Sequence, residues 1–582
     1  MDYTNILSLV GGLSIFLYGM SMMGSSLERF AGNRLKTVLS KLTSSPIRGF
    51  LLGLVVTAVI QSSSATTVMV VGFVNSGLMT LLKSVYIIMG ANVGTSVTSW
   101  LLSLAGLDGK AWYITMFKPS TFTPVLALIG IIIFMASKKQ RKKELASILL
   151  GFSILMFGME MMSDAVKPLK DIPQFTSLMT MFTNPLMGVI VGAVLTAIIQ
   201  SSSASVGILQ ALSLTGSVTY LAAIPIIMGQ NIGTCITALL SSVGATKDAR
   251  RASMVHLCFN IVGVVVWLGI FTLANALFPI PFLSQPISPL GIAIVHSGFN
   301  VLATLTLMPF GRQLALLATR LVPEGTSSEE LPMLDERLFV TPSIALERAH
   351  TVLLDMARLS VTSLTDSLDL LDCYDSVKAE KIAADENQVD FYEDKLGTYL
   401  VKLTGQPMSE EDSREMTKYL HMIGDLERIS DHAVNLVESA QELNEKKLRF
   451  SPEAQKEMST LTRAIREILA DSLCALEKEE LSVAGRVEPL EQVIDSLTKS
   501  IRSHHIERLT RGLCTQEMGF ILGDILTNLE RVSDHCSNLA VAIIEIAAGS
   551  FDVHEYLNAV KSSQGEYREH FESYLRRFAL ER

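Results

Sequence analysis

Two stretches of the chain set a carboxamide and three consecutive hydroxyls in apolar surroundings: Gln61-Ser62-Ser63-Ser64-Ala65 and Gln200-Ser201-Ser202-Ser203-Ala204. Each is followed by Ile-Met-Gly-x-Asn-x-Gly-Thr, which carries Asn92 and Thr95 in the first copy and Asn231 and Thr234 in the second. No Asp, Glu, Lys or Arg occurs from Gly49 to Leu82 or from Ile172 to Thr246. In hydrocarbon each unsatisfied polar group costs several kcal/mol. A lone membrane serine avoids that cost by back-bonding to a helix carbonyl. Gln plus three Ser, twice, beside helix breaks, needs another account. Pro46 and Pro185 are suited to start helices. A serine-rich tip between two half-helices then exposes backbone amides at a helix N-terminus. Amides and hydroxyls together make a neutral anion site, helped by the positive helix end. Freed carbonyls, the Gln oxygen and Thr hydroxyls suit a hard cation such as Na⁺. The repeat cores hold no cation to pair with an anion, and Glu160, near the outer end of its span, is their main carboxylate. Co-bound Na⁺ would compensate an anionic substrate. The bland alternative is close helix packing by small residues.

The elements that position these residues repeat. Shifting the chain by 139 residues lays Gly12, Gly19 and Pro46 on Gly151, Gly158 and Pro185, with both motifs in register over about 85 positions. Five apolar windows read as spans: Ile6–Met23, Phe122–Ala136, Leu145–Met162, Met254–Phe278 and Pro289–Pro309. A crossing needs about 20 apolar residues, so Phe122–Ala136 is short. Basic clusters at 29–48, 138–143, 247–251 and 312–320 are placed in the cytoplasm. The N-terminus and the segments around Asp108, around Pro173 and from Pro279 to Pro289 are then outside. No small-residue cleavage site follows the first window, which reads as a retained helix. The first helix of repeat one runs inward and its counterpart runs outward, so the repeats are inverted about an axis in the membrane plane. Secondary transporters use such repeats, with a site near the midplane.

Composition supports two materials in one chain. The 582 residues are 49% hydrophobic and 18% charged, with mean hydropathy +0.38. This excludes a disordered or disulfide-stapled protein and a single soluble globule. Residues 1–322 carry a net charge of +12, and the remainder −21. His256–Asn260 and His296–Asn300 are two His-x-x-Phe-Asn segments outside the repeat core, read as interhelical hydrogen-bonding anchors in preference to site lining. Six scattered cysteines form no C-x-x-C pair, which suits a reduced cytoplasmic face. The absence of G-x-x-x-x-G-K-[ST] argues against ATP-driven transport, and the acidic second half against nucleic acid. The chain reads as a non-enzyme.

After a polar linker at 323–342, the periodicity predicts amphipathic helices over 343–372, 376–403, 410–447, 451–480, 483–510 and 516–548, then a tail helix within 549–582. Two three-helix units repeat here. Leu426-Glu427-Arg428-Ile429-Ser430-Asp431-His432 matches Leu529-Glu530-Arg531-Val532-Ser533-Asp534-His535 at an offset of 103. Glu386 and Asp390 match Glu491 and Asp495 at 105. Glu427/Asp431 and Glu530/Asp534 are i,i+4 pairs of like charge, which repel unless something joins them. A solvated acidic face is one reading. A divalent or iron-type metal held in the bundle by all eight carboxylates is the other.

The paired Gln-Ser-Ser-Ser and Asn-x-Gly-Thr motifs, over Gly11 to Leu317, resemble the type II sodium–phosphate cotransporter family. The resemblance implies sodium-coupled movement of inorganic phosphate. It implies phosphate at Ser62, Ser63, Ser64, Ser201, Ser202 and Ser203. Gln61, Thr66, Asn92, Thr95, Gln200, Asn231 and Thr234 become sodium ligands or their supports. Repeat two departs at Ser205-Val206, where repeat one has Thr66-Thr67, so the halves need not bind the same ions. The Glu-Arg-x-Ser-Asp-His units, over Ser343 to Ala548, resemble the PhoU family, which implies phosphate regulation and carboxylate-held metal. The expected fold is all-α: a polytopic membrane domain (1–322) of two inverted repeats (about 11–100 and 150–239) with re-entrant helical hairpins, then a cytoplasmic PhoU-like bundle (343–548). A multi-pass location in a cell membrane, with the bacterial inner membrane the natural choice, follows. The rival function is a membrane-anchored phosphate sensor or scaffold without turnover. Uptake and export, and a homo-oligomer or a cytoplasmic regulatory partner, all fit the sequence.

Overall fold

In the computed structural model the described residues are 3–40, 45–106, 116, 118–171, 181–323, 334–548 and 565–580. The segments expected outside around Asp108 and Pro173, most of the linker, and residues 549–564 of the tail lie outside them. Every regular element among the described residues is helical. The chain divides into two compact units, Met1–Ile344 and Ala345–Arg582.

The first unit contains α1 (Tyr3–Ser40), α2 (Pro46–Ile60), α3 (Ser63–Asn75), α4 (Leu81–Gly94), α5 (Ser96–Ser103), α6 (Pro119–Ala136) and α7 (Gln140–Val166). It continues with α8 (Pro185–Ile199), α9 (Ser202–Ser213), α10 (Tyr220–Ser241), α11 (Lys247–Leu277), α12 (Pro289–Leu307) and α13 (Gly311–Leu321). Among the described residues, six segments are long and apolar enough to cross a membrane. Four of the five windows expected from sequence lie among them, while 121–136 falls in the shorter class. The other two, Leu81–Gly106 and Tyr220–Ser241, were not expected as spans. Their Asn, Gly and Thr residues dilute the hydropathy, but 72% and 67% of their windows are buried inside the protein, so lipid never meets those groups.

Glycines show the inversion directly. A Cβ on Gly12 would lie 3.1 Å from Gly158 O, and one on Gly19 2.8 Å from Gly151 O. Numbers rise along α1 as they fall along α7, so the helices are antiparallel. The 139-residue shift turns the pair Gly12–Gly158 into Gly151–Gly19, which is the other contact. A contact set that maps onto itself when the repeats are exchanged defines a two-fold axis. Between antiparallel helices that axis is perpendicular to both, hence in the plane of a membrane they cross. Arg29 Nε donates to Glu144 Oε2 at 3.0 Å and closes one end of the pair.

Each repeat also contains a hairpin of half-helices. Pro46 and Pro185 stand at the first turns of α2 and α8, where a missing N–H costs nothing. α2 and α3 have 15 and 13 residues, each about 20 Å long at 1.5 Å rise, too short for a 30 Å hydrocarbon core. Across the turn, Thr57 Oγ1 donates to Thr66 Oγ1 at 3.0 Å, and Thr196 Oγ1 to Ser205 Oγ at 2.8 Å. The arms therefore fold back. Ser205, the departure in repeat two, keeps the hydroxyl that this pin requires.

The second unit contains α14 (Pro342–Leu370), α15 (Ser376–Leu403), α16 (Glu410–Glu445), α17 (Pro452–Lys478), α18 (Leu481–Thr510), α19 (Gln516–Ala548) and α20 (Glu566–Arg577). These follow the sequence periodicity to within a few residues at each end. α16 packs on α19, the third helix of the other trio. His432 and His535 stack there, centroids 5.8 Å apart. His432 Nδ1 meets Asn528 Oδ1 at 2.7 Å, and His535 Nδ1 meets Asp425 Oδ1 at 2.8 Å. Asp425 and Asn528 are equivalent positions, so this bundle too has a pseudo-two-fold centre.

Candidate functional site

The hairpin tips carry the chemistry. Gln61 has φ 60° and ψ 22°, and Gln200 φ 57° and ψ 21°, left-handed conformations at matched positions. A non-glycine residue there costs about 1 kcal/mol, which the flanking half-helices must offset. Ser62 and Ser201 follow in extended conformation as N-caps, accepting from Ala65 N at 3.1 Å and Ala204 N at 3.2 Å. Each cap contributes about 1 kcal/mol. The amides of Ser63 and Ser64, and of Ser202 and Ser203, remain as first-turn donors without intrahelical partners. Among the described residues their hydroxyls make no hydrogen bond, although Ser63, Ser202 and Ser203 are buried. Two neutral donor cradles result, each at a positive helix end.

The Asn-x-Gly-Thr helices run parallel to the first arm of each hairpin. A Cβ on Gly53 would lie 2.0 Å from Ile87 O, and one on Gly90 2.0 Å from Phe50 O. The corresponding values for Gly192 and Gly229 are 2.1 Å to Ile226 O and 2.0 Å to Val189 O. Backbone thus touches backbone, which brings the Asn and Thr side chains near the tips. The second arm of each hairpin packs on the other repeat, α3 on α10 and α9 on α5.

The sequence-predicted cation residues hold their own helices. Asn92 Nδ2 donates to Ile88 O and Asn231 Nδ2 to Ile227 O, both at 3.0 Å. Thr95 and Thr234 donate to Ala91 O and Gln230 O. Thr66 donates to Ser62 O. Gln61 is buried, and its Oε1 accepts from Thr98 Oγ1 at 2.9 Å. Repeat two breaks this symmetry: Gln200 is exposed, and the hydroxyl of Thr237, the counterpart of Thr98, is buried without a partner. The 139-residue shift pairs Thr98 with Thr237 in the sequence, but neither stood out there as a site residue.

The His-x-x-Phe-Asn segments hydrogen-bond between helices, as expected. Asn300 Nδ2 donates to Ser96 Oγ at 3.3 Å, with His296 Nδ1 also 3.3 Å from that oxygen. Asn260 Nδ2 reaches Cys235 Sγ at 3.3 Å and Asn92 Oδ1 at 3.5 Å. His256 is fully buried, and among the described residues neither ring nitrogen has a hydrogen-bond partner.

At the far end of α3 the chain returns. Residues 336–340, placed in the linker by sequence, form a 3-10 turn that packs on α3. Asn75 Nδ2 donates to Asp335 Oδ2 at 2.6 Å, while Asn75 Oδ1 accepts from Thr246 N at 2.7 Å. Arg337 pairs with Asp335 at 3.1 Å and donates to Ser241 O at 2.6 Å. Leu338 is fully buried, so close to Gly72 that a Cβ there would meet it at 2.9 Å. The turn thus ties the hairpin of repeat one to the α10–α11 turn of repeat two.

In the second unit only one acidic set converges among the described residues. Glu386, Asp390 and Asp431 bring carboxylate oxygens within 4.8 Å of one another, as do Asp390, Glu393 and Glu427. Glu393 was missed, although it stands three residues after Asp390 on the same face of α15. Burial together with Asp431, Glu393 and Asp390 pushes the Glu427 carboxyl up to about 7. Burial, Asp390 and Asp431 also raise Glu386. Glu491, Asp495, Glu530 and Asp534 form no such group, contrary to the symmetric expectation. Lys499 pairs with Asp495 at 3.0 Å, Arg502 lies 4.0 Å from Glu530, and Gln492 donates to Glu491. Local cations and an amide take up the acids of repeat two. Burial and neighbouring acids still push Glu491 up to about 7.

Fold and site together define a multi-pass membrane protein of inverted hairpin repeats joined to a tandem three-helix bundle. The membrane half belongs to the Na⁺/Pi-cotransporter family, whose model matches residues 15–164 and 154–295, and PhoU domain models match 353–440 and 458–543. The chain is 25% identical over 553 residues to YjbB of Salmonella typhimurium, whose name proposes inorganic phosphate export. That match covers 93% of this chain and 97% of YjbB. A PhoU homologue of Thermotoga maritima, described as a phosphate-specific transport system accessory protein, is 28% identical over 202 residues. It covers 34% of this chain and 85% of that protein. The crystal structure of PhoU from Pseudomonas aeruginosa aligns with a TM-score of 0.34 and 22% identity, over 35% of this chain and 98% of that one. The chain is therefore a phosphate-transport family protein with PhoU-like domains.

Proposed function

We propose that the membrane unit moves inorganic phosphate with Na⁺ by alternating access of its two inverted repeats, and that the cytoplasmic PhoU-like unit regulates the movement. The observation that carries this reading is the doubled, uncharged donor cradle at Ser62–Ser64 and Ser201–Ser203, in which Ser63, Ser202 and Ser203 are buried. A bare anchor or scaffold needs no such polar investment in lipid. Phosphate accepts from the amides and hydroxyls. Gln61, Thr66, Asn92 and Thr95, with Gln200, Asn231 and Thr234, offer oxygens for Na⁺, whose charge compensates the anion. The basic clusters put the C-terminal unit in the cytoplasm. A symporter runs down the sum of its sodium and phosphate gradients, so it exports only where the outward phosphate gradient outweighs the inward sodium gradient, the direction that the name of YjbB suggests. Radiolabelled phosphate flux in proteoliposomes, with and without a sodium gradient, tests the reading. Flux indifferent to sodium would remove the coupling. No flux under either condition would leave the sensor reading in its place.

The turn at 336–340 would transmit regulation, because it leads straight into α14. Displacing α14 would pull Asp335 and Arg337 from both repeats. Asp335→Ala and Arg337→Ala are expected to abolish the dependence of transport on phosphate inside the vesicle, leaving flux with a threefold or smaller response. A response like that of the parent protein would count against the coupling.

The carboxylates at Glu386, Asp390, Glu393, Glu427 and Asp431 fit a hard divalent or ferric ion, since they converge, crowd one another and, among the described residues, form no ion pair. Such an ion would cross-link α15 to α16. Glu427→Gln with Asp431→Asn should lower manganese binding to the full chain about tenfold or more, read by calorimetry. Glu530→Gln with Asp534→Asn should change it less than twofold. Equal losses in the two pairs would rule out the asymmetric site.

A further inference from the structure

We infer that Asn260 is a positioning residue for cation binding, holding Asn92 of repeat one while tied to Cys235 of repeat two. The inference deepens the sodium-coupled reading and rests on it. Its starting point is a symmetry that spans more of the chain than the 139-residue repeat. Ser96 directly follows Thr95, and Cys235 directly follows Thr234, so the two are counterparts. Asn300 on α12 donates to Ser96 at 3.3 Å, and Asn260 on α11 makes the matching contact with Cys235 at 3.3 Å. Each Asn-x-Gly-Thr motif is therefore gripped, one residue beyond its Thr, by an Asn from a His-x-x-Phe-Asn helix. α11 serves repeat two and α12 serves repeat one.

The symmetry then fails in an informative way. Asn260 also reaches Asn92 Oδ1 across the repeat boundary at 3.5 Å, and its own helix anchors it through His256 O at 3.0 Å. Among the described residues Asn300 instead keeps to Ser96 and His296. Asn92 is already held through Nδ2 by Ile88 O, so its amide plane is set at both ends. Asn92 is 96% buried and Asn260 99%, and no solvent competes for these groups. An amide with a fixed plane offers its remaining oxygen lone pair in one direction. That is what a cation ligand needs, since reorientation on binding would weaken affinity. Asn260 also touches α10 at Cys235, one residue beyond Thr234, so tilting one repeat against the other must bend or break this contact.

The test uses Asn260→Leu in the full chain, a change of similar shape that removes only the amide, with Asn260→Ser as a second variant that keeps a small hydroxyl donor. At saturating sodium the phosphate concentration for half-maximal flux should stay within twofold of the parent. The sodium concentration for half-maximal flux should rise about fivefold to tenfold in Asn260→Leu, the size of one lost buried hydrogen bond, and less in Asn260→Ser. Asn300→Leu, which leaves Asn92 alone, should shift it less than twofold. Sodium-dependent thermal stabilisation of the purified protein should move in the same order, and this readout needs no transport. An unchanged sodium requirement in Asn260→Leu, or equal shifts in the Asn260 and Asn300 variants, would overturn the inference. If the parent protein shows neither sodium-driven flux nor sodium-dependent stabilisation, the coupled-transport reading fails with it. If the parent shows both and Asn260→Leu matches it, only the positioning role falls.

Discussion

Proteoliposomes carrying Ser63→Ala together with Ser202→Ala are expected to move phosphate at about one hundredth of the parental rate or less at low phosphate. Each serine is the first residue of a half-helix and buried, and among the described residues its hydroxyl has no hydrogen-bond partner. A hydrogen bond to a charged group is worth about 1.5–3 kcal/mol, or roughly a tenfold to hundredfold loss for each hydroxyl removed. The single variants should therefore fall about tenfold. The N-caps at Ser62 and Ser201 are untouched, so helix starts and fold should persist. Protein melting within a few degrees of the parent would confirm that the loss is in binding. Parental phosphate dependence in the double variant would take the serine tips out of the site.

The second large effect belongs to glycine. Gly53→Ala and Gly192→Ala should each destabilise the membrane unit by about 3 kcal/mol and abolish flux, because a backbone carbonyl occupies the place of the new methyl. Ile87 O and Ile226 O sit about 2 Å from those Cβ positions, and no side-chain rotation can clear them. The arm must swing away from the Asn-x-Gly-Thr helix, carrying the serine tip off Asn92 or Asn231. Gly269→Ala and Gly298→Ala, in α11 and α12, meet nothing within 4 Å and should behave like the parent. Melting temperature in detergent, alongside flux, separates the two groups. If Gly53→Ala melts like Gly298→Ala, the close approach of α2 and α4 is wrong.

The sequence carried the repeats because polar groups are expensive in lipid. A Gln-Ser-Ser-Ser tip survives there only with a partner or a task, and its recurrence 139 residues later leaves few explanations. Charges at 29–48 and 138–143 implied the inversion, and the Gly12–Gly158 and Gly19–Gly151 contacts display it. The helices of the acidic half were equally legible, since a 3.6-residue period marks one buried face. Hydropathy failed for Leu81–Gly106 and Tyr220–Ser241, because it assumes that a span's neighbours are lipid. Here the neighbours are protein, and the buried Asn92 and Asn231 donate to carbonyls of their own helices.

What the chain determined by itself was local and repetitive: where helices begin, which positions are uncharged, which residues recur. What only the tertiary structure decided was which equivalent residues remain equivalent. Gln61 is locked by Thr98 while Gln200 is exposed. Glu386, Asp390 and Asp431 converge while Glu491, Asp495 and Asp534 do not. Asn75 meets Asp335 across 260 residues of chain. Periodicity reports the face a residue occupies on its own helix. It carries no information about which other helix arrives there, and that arrival turns two similar halves into a site with unlike sides.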